Sequence, residues 1–143
     1  MKTKINLIII YFIVLAGIFM HSKCSYAVPP LKNPSPSDYS TTLTYDEAKK
    51  LNKPIVLYFY VNWCHYCKKF TPILNRAREN YDSDFSFVFI NCDNRENSSI
   101  VNQFRVRAYP TVYVVDKDER AHLNNSGLGS YEAFSQELDK FVK

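Results

Sequence analysis

The stretch Ile55-Val56-Leu57-Tyr58-Phe59-Tyr60-Val61-Asn62-Trp63-Cys64-His65-Tyr66-Cys67-Lys68-Lys69-Phe70 decides the fold. Ile55 to Val61 is rich in β-branched and aromatic residues, the signature of a buried strand. Beyond Cys64 the apolar residues Phe70, Ile73, Leu74 and Ala77 recur at steps of three and four, which is a helical period. Cys64 therefore stands where a strand gives way to a helix. Unpaired backbone N–H groups and the helix dipole stabilise negative charge at such a place. A thiol there is expected to ionise readily, and the thiolate is the reactive form of cysteine. Cys67 follows one turn later, close enough to close a disulfide.

Two further marks lie downstream. Pro72 falls inside the expected helix, and Tyr109-Pro110-Thr111 runs into the strand-like Val112-Tyr113-Val114-Val115. Together with Trp63-Cys64-His65-Tyr66-Cys67, they resemble the helix-kinking proline, the cis-proline and the active site of the thioredoxin superfamily. The resemblance runs from roughly Thr44 to the C-terminus. It implies an α/β fold, a thioredoxin-like three-layer sandwich with a central mixed β-sheet flanked by helices. It also implies a cis Tyr109–Pro110 bond facing the cysteines, with the Tyr109 backbone free to pair with an extended substrate segment. The run Ala48 to Val56 resembles the exported, single-domain members more than cytosolic thioredoxin.

The N-terminus reads as a targeting segment. Lys2 and Lys4 precede an almost wholly apolar run from Leu7 to Met20, short for a membrane span and suited to a signal peptide. Ser25-Tyr26-Ala27 offers small residues for cleavage after Ala27. An uncleaved anchor is the competing reading, as is a lipoprotein built on Cys24, though Lys23 fits a lipobox poorly. With the signal go Lys2, Lys4 and Lys23 and no acid, which takes the chain from 18 basic residues to 15 against 14 acidic ones. So balanced a charge gives no reason to expect nucleic acid or an anionic membrane as a partner.

The organisation expected is a signal peptide over 1–27, a Pro-rich tether over 28–40 and a thioredoxin-like domain over 41–143. The tether carries Pro29, Pro30, Pro34 and Pro36 among polar residues. Ser40 to Leu43 offers a short edge strand. Thr44 and Glu47 form a capping box for a short helix reaching Leu51. Then come the cysteine helix to about Tyr81, a strand over Phe85–Asn91 and a polar loop over Asp93–Asn97. A short helix over Ser98–Phe104 and a strand over Thr111–Val115 follow. A turn at Asp116-Lys117-Asp118-Glu119 leads into an edge strand over Arg120–Leu123. Gly127 and Gly129 punctuate the chain before a last helix over Ser130–Val142. That helix carries Phe134, Leu138 and Phe141 on one face.

The resemblance makes Cys64 the nucleophile that attacks a disulfide and Cys67 the thiol that resolves the mixed disulfide. Trp63 would cover one side of the site, and Tyr109 and Pro110 would meet the substrate. Tyr66 before the second cysteine matches glutaredoxins and periplasmic isomerases, where thioredoxin has proline. His65 reads either as a redox tuner beside the thiolate or as an exposed histidine of little effect. Cys92, at the end of a strand, reads as a small hydrophobe. A c-type haem needs His after the second cysteine, and Lys68 stands there. A structural zinc needs four ligands, and there is no second CxxC. No metal and no cofactor are expected.

Two positions depart from thioredoxin. Its buried acid aligns with Tyr58 and its neighbouring lysine with Phe89. A phenol with a pKa of about 10 is no base at neutral pH, so the Cys67 proton must leave by another route, water or Glu47. The expected function is an exported thiol–disulfide oxidoreductase, reducing or isomerising protein disulfides. The alternatives are a DsbA-type dithiol oxidase and a redox-inert binding module on the Tyr109–Pro110 groove. The expected partners are protein disulfide or dithiol substrates and a membrane redox partner that recycles the pair, with the chain a monomer. Lys140-Phe141-Val142-Lys143 is not a reticular retention signal, so a bacterial periplasm is the expected compartment.

Overall fold

A computed structural model describes residues 35–41, 43–124 and 129–142. The expected signal peptide, its cleavage site, Cys24, most of the tether and Gly127 lie outside the described residues. Helix α1 spans Tyr45–Lys49, strand β1 Ile55–Tyr60 and helix α2 His65–Tyr81. Strand β2 spans Ser86–Asn91, helix α3 Ser98–Gln103, strand β3 Thr111–Val115, strand β4 Ala121–Leu123 and helix α4 Tyr131–Asp139. Short 3-10 turns occupy Pro36–Tyr39 and Arg95–Asn97. Among the described residues no helix is long and apolar enough to cross a membrane.

The sheet has the order β2-β1-β3-β4. β1 pairs parallel with β2 and antiparallel with β3, so the sheet is mixed as expected. Every residue of β1 is buried, because helices cover both faces. Alternation along the strand sorts its side chains. Val56, Tyr58 and Tyr60 face α2 and α4, packing with Phe70, Leu74, Ala77, Phe134 and Leu138. Ile55, Leu57 and Phe59 face the other way, with Ala48 of α1 and with Ile100 and Phe104 from the α3 region. These are the three layers.

Local signals fix the ends of several elements. Thr44 caps α1 through its side chain, and Glu47 reaches back to the Thr44 N–H at 2.8 Å, the predicted capping box. Ser130 caps α4 by accepting the Ala133 N–H at 3.1 Å. α2 runs on through Pro72, which lacks an N–H and so removes one helical bond. The Tyr81 hydroxyl donates to Asp139 at 2.7 Å and ties α2 to α4.

The N-terminal stretch departs from expectation in two ways. Residues 36–39, read as tether, form a 3-10 turn with Pro36 buried and Tyr39 packed on the core. Arg78 of α2 donates to the Tyr39 carbonyl at 3.1 Å and holds the turn in place. Among the described residues of the 40–43 stretch there is no strand, so the expected edge strand does not form there. Elsewhere the ends differ from expectation by a few residues at most.

Candidate active site

The buried strand β1 ends at Tyr60, and a tight turn through Val61, Asn62 and Trp63 delivers Cys64 to the start of α2. The Cys64 N–H bonds the Val61 carbonyl at 3.2 Å, closing that turn. Cys64 is the N-cap, with extended backbone angles of −75° and 116°. Its sulfur accepts the Cys67 N–H at 3.2 Å. A serine or aspartate oxygen usually takes that amide at a helix start. Here a sulfur takes it, so a negative charge on Cys64 meets an amide proton and the positive helix end together.

On its other side Cys64 meets the loop before β3. Its thiol lies 3.6 Å from the Tyr109 carbonyl, a weak S–H···O contact. The Tyr109–Pro110 bond is cis, as the resemblance implies. The structure thus brings Cys64, Cys67, Tyr109 and Pro110 together. Trp63 stands beside them, 71% exposed, with its ring edge-on to Tyr109 at 6.4 Å. Its indole N–H points to Asp93 at 3.4 Å. Tyr66 is likewise exposed, and the His65 ring lies edge-on to it at 5.9 Å. His65 is exposed, at the first position of α2.

Cys67 is fully buried, and burial pushes its thiol up to about 12. Both cysteines are free thiols here. Cys92 is half-buried just beyond β2, its N–H bonded to the Tyr60 carbonyl at 2.8 Å. Burial raises its thiol to about 11, while a hydrogen bond with the Tyr109 side chain pulls the other way. Cys92 therefore lies closer to the active-site loop than its reading as a strand-end hydrophobe suggests.

Glu47 is corrected as a proton acceptor. Its carboxylate takes the Thr44 N–H and hydroxyl at 2.8 and 2.7 Å. It belongs to α1, which packs on the sheet face opposite Cys67. What sequence reading missed lies beneath the cysteines. Tyr58, noted only as a lost acid, places its hydroxyl 2.8 Å from Thr71 and 3.1 Å from the Cys67 carbonyl. Thr71 donates to that same carbonyl at 2.7 Å. Thr71 stands four residues after Cys67, the spacing at which a threonine reaches back along a helix, and that spacing was the available signal. Burial drives the Tyr58 hydroxyl far above the ordinary phenol value, so it stays protonated.

Both cysteines are buried, Cys64 at 7% exposed and Cys67 at 0%, so the arrangement sets the nearer sulfur at the helix start over a deeper one, which suits thiol–disulfide exchange. Comparison with known proteins agrees. The sequence profile of the family described as thioredoxin matches residues 38–140. The chain is 28% identical over 103 residues to the chloroplastic thioredoxin-like protein HCF164 of Oryza sativa subsp. japonica, covering 71% of this chain and 37% of that protein. It is 30% identical over 103 residues to a protein disulfide-isomerase of Zea mays, covering 72% of this chain and 20% of that protein. Among solved structures, oxidized mitochondrial thioredoxin 3 of Saccharomyces cerevisiae superposes with a TM-score of 0.57 at 28% identity, over 74% of this chain and 99% of that one. The chain thus spans little more than a third of the rice protein and a fifth of the maize protein.

Proposed function

The chain belongs to the thioredoxin family, and from that premise we propose that it is an exported thiol–disulfide oxidoreductase that reduces or isomerises protein disulfides. One observation carries the reading: the two sulfurs are unequal. Cys64 caps the helix, accepts an amide proton at 3.2 Å and faces the Tyr109 loop. Cys67 is fully buried with its thiol pushed up to about 12. Two-step exchange calls for such an attacker at the helix start, 7% exposed, and such a resolver beneath it at 0%.

In the first step the Cys64 thiolate attacks a partner disulfide, joins one partner sulfur and releases the other. In the second, Cys67 attacks Cys64 and frees the reduced partner. Run backwards, the pair oxidises a dithiol. Exposed Trp63 and Tyr66 offer the partner an aromatic rim, and the Tyr109–Pro110 backbone offers it an extended pairing edge. No cofactor enters either step.

Export is supported by Lys2 and Lys4 ahead of the apolar run to Met20, and by Ser25-Tyr26-Ala27 after it. A bacterial periplasm is the compartment proposed, with a membrane redox partner that returns electrons to the pair and the chain acting as a monomer. The reducing or isomerising direction is supported by the minimal domain. Only β2, a 3-10 turn and α3 lie between the end of α2 and Pro110, with no oxidase-type helical insertion. The likeness to a protein disulfide-isomerase supports the isomerising arm.

Insulin reduction by the purified chain tests the activity. Equilibration with glutathione tests the direction, with a potential expected between about −270 mV and about −120 mV. A potential near the upper figure, with rescue of a strain that lacks its periplasmic oxidase, would make the chain an oxidase instead.

A further inference from the structure

The turn that delivers Cys64 is held from both sides. The Cys64 N–H closes it on the Val61 carbonyl at 3.2 Å, which leaves Asn62 and Trp63 as its two central residues. The backbone angles of that central pair decide where Cys64 stands. The Trp63 indole points to Asp93 at 3.4 Å. The Asn62 side chain reaches further along the chain. Its Oδ1 accepts the Ser37 N–H at 3.3 Å, across 25 positions of sequence. An asparagine in a turn ordinarily bonds its own backbone two residues on. Here it is fastened to the 3-10 turn over Pro36–Tyr39. That turn is a fixed post. Asp38 accepts the Ser35 N–H at 2.8 Å, and the Ser40 hydroxyl donates to the Ser37 carbonyl at 2.9 Å, so the segment closes on itself. Pro36 is buried, and Tyr39 packs on the core. Arg78, in the last turn of α2, donates to the Tyr39 carbonyl at 3.1 Å. The segment is thus tied to the end of α2 through Arg78 and to the turn before its start through Asn62.

We propose that Asn62 is a positioning residue for Cys64, and that the 35–39 segment is the post to which it is fastened. The proposal rests on the oxidoreductase reading above. Cys64 is the N-cap of α2, with backbone angles of −75° and 116°, and in that pose its sulfur accepts the Cys67 N–H at 3.2 Å. The pose begins where the turn ends. A turn released at Asn62 regains backbone freedom, and the sulfur then spends less time on the amide and at the positive helix end. That loss falls on the charged sulfur, which uses the amide proton, and not on the disulfide, which carries no charge. Breaking the Ser37–Asn62 bond therefore disfavours the reduced pair relative to the disulfide and makes the chain a stronger reductant. A stretch that reads as tether thus sets part of the redox poise while supplying none of the reacting atoms.

The test alkylates the reduced full chain with iodoacetamide across a range of pH, follows Cys64 by peptide mass, and equilibrates the same protein with glutathione. Asn62→Ala removes the acceptor. Ser37→Pro removes the donor N–H from the other side, and if it also loosens the segment the bond is lost all the same. Each should displace the pH profile of Cys64 alkylation upward by about half a unit and move the glutathione equilibrium about threefold toward the disulfide, the scale of one modest hydrogen bond. The double variant should match the singles rather than add to them, because both remove the same bond. Arg78→Met, which unfastens Tyr39, should act in the same direction. Ser37 is exposed, so Ser37→Pro carries the test if Asn62→Ala does not fold. Variants that lose stability in urea yet keep the parent's profile and equilibrium would overturn the proposal and leave the segment a packing element. So would a double variant whose shifts equal the sum of the singles. A parent protein that forms no Cys64–Cys67 disulfide with glutathione would overturn the oxidoreductase reading itself, and this inference with it.

Discussion

Tyr58 and Phe89 are register partners across the parallel β1–β2 pair, and their rings meet edge-on with centroids 5.2 Å apart. These are the positions at which the resemblance to thioredoxin places an acid and a lysine. Both charges are missing together. Tyr60 and Phe70 complete the enclosure, with ring centroids 5.4 and 5.8 Å from Tyr58. A charge at either position alone would sit in an aromatic box without a partner. The two departures are one exchange, of an ionic pair for an aromatic one.

That coupling is measurable. Tyr58→Asp alone is expected to destabilise the fold by roughly 3–5 kcal/mol, the range for a buried charge without its partner. Phe89→Lys should act in the same direction. The double variant should lose less than the sum of the two, with a coupling energy of at least about 1 kcal/mol. Urea unfolding of the parent, both singles and the double, followed by circular dichroism, gives the cycle. Strictly additive losses would show that the two positions do not depend on each other.

The unequal sulfurs predict unequal trapping. Cys67→Ser keeps the attacker and removes the resolver, so mixed disulfides should accumulate on Cys64. Cys64→Ser leaves a buried thiol whose pKa is pushed up to about 12, and it should trap almost nothing. Reduced variants mixed with cell extract, acid-quenched and run on a non-reducing gel will show which holds. Equal trapping by both would reverse the assignment of nucleophile.

Cys92 is expected to be dispensable for exchange. Its thiol is raised to about 11, which leaves it protonated at neutral pH. Cys92→Ser should preserve trapping by Cys67→Ser and cost at most about 1–2 kcal/mol of packing. Loss of trapping in the Cys92→Ser, Cys67→Ser double variant would bring the third thiol into the mechanism through its contact with Tyr109.

Stability should fall at alkaline pH, and more so in the reduced protein. Cys67 and Cys92 hold their protons up to about 12 and about 11, against an ordinary thiol value of 9.0. Above about pH 9 the unfolded chain releases protons that the folded chain keeps, so the slope of stability against pH is negative. The contribution is whole below that value and is lost as the pH climbs through the folded values. Closing the Cys64–Cys67 disulfide removes Cys67 from this balance. The oxidised protein should therefore decline less steeply when urea midpoints are compared from about pH 8 to about pH 11. Parallel declines in the two redox states would remove Cys67 as a cause.

Much of the site was legible because its signals are local. The change of period at Cys64 placed a strand end and a helix start, and the Thr44–Glu47 spacing fixed a cap. What was not legible depends on contacts distant in sequence. Pro36 and Tyr39 sit among residues typical of a tether, and only packing on α2 makes them part of the fold. The acidic Glu47 seemed available as a base until the sheet came between it and Cys67. Tyr58 looked like a lost function because reading along β1 cannot show Thr71 closing over it from α2.

Trp63 is the chain's single tryptophan, and it stands 71% exposed against Asp93 and Tyr109. All indole emission from this molecule therefore originates beside Cys64. The protein carries its own optical gauge of redox state, needing no label and reporting from one place. The same placement makes that gauge a poor thermometer for the fold. An indole already facing water changes its surroundings little on unfolding, so fluorescence will follow the sulfurs while circular dichroism follows the sheet.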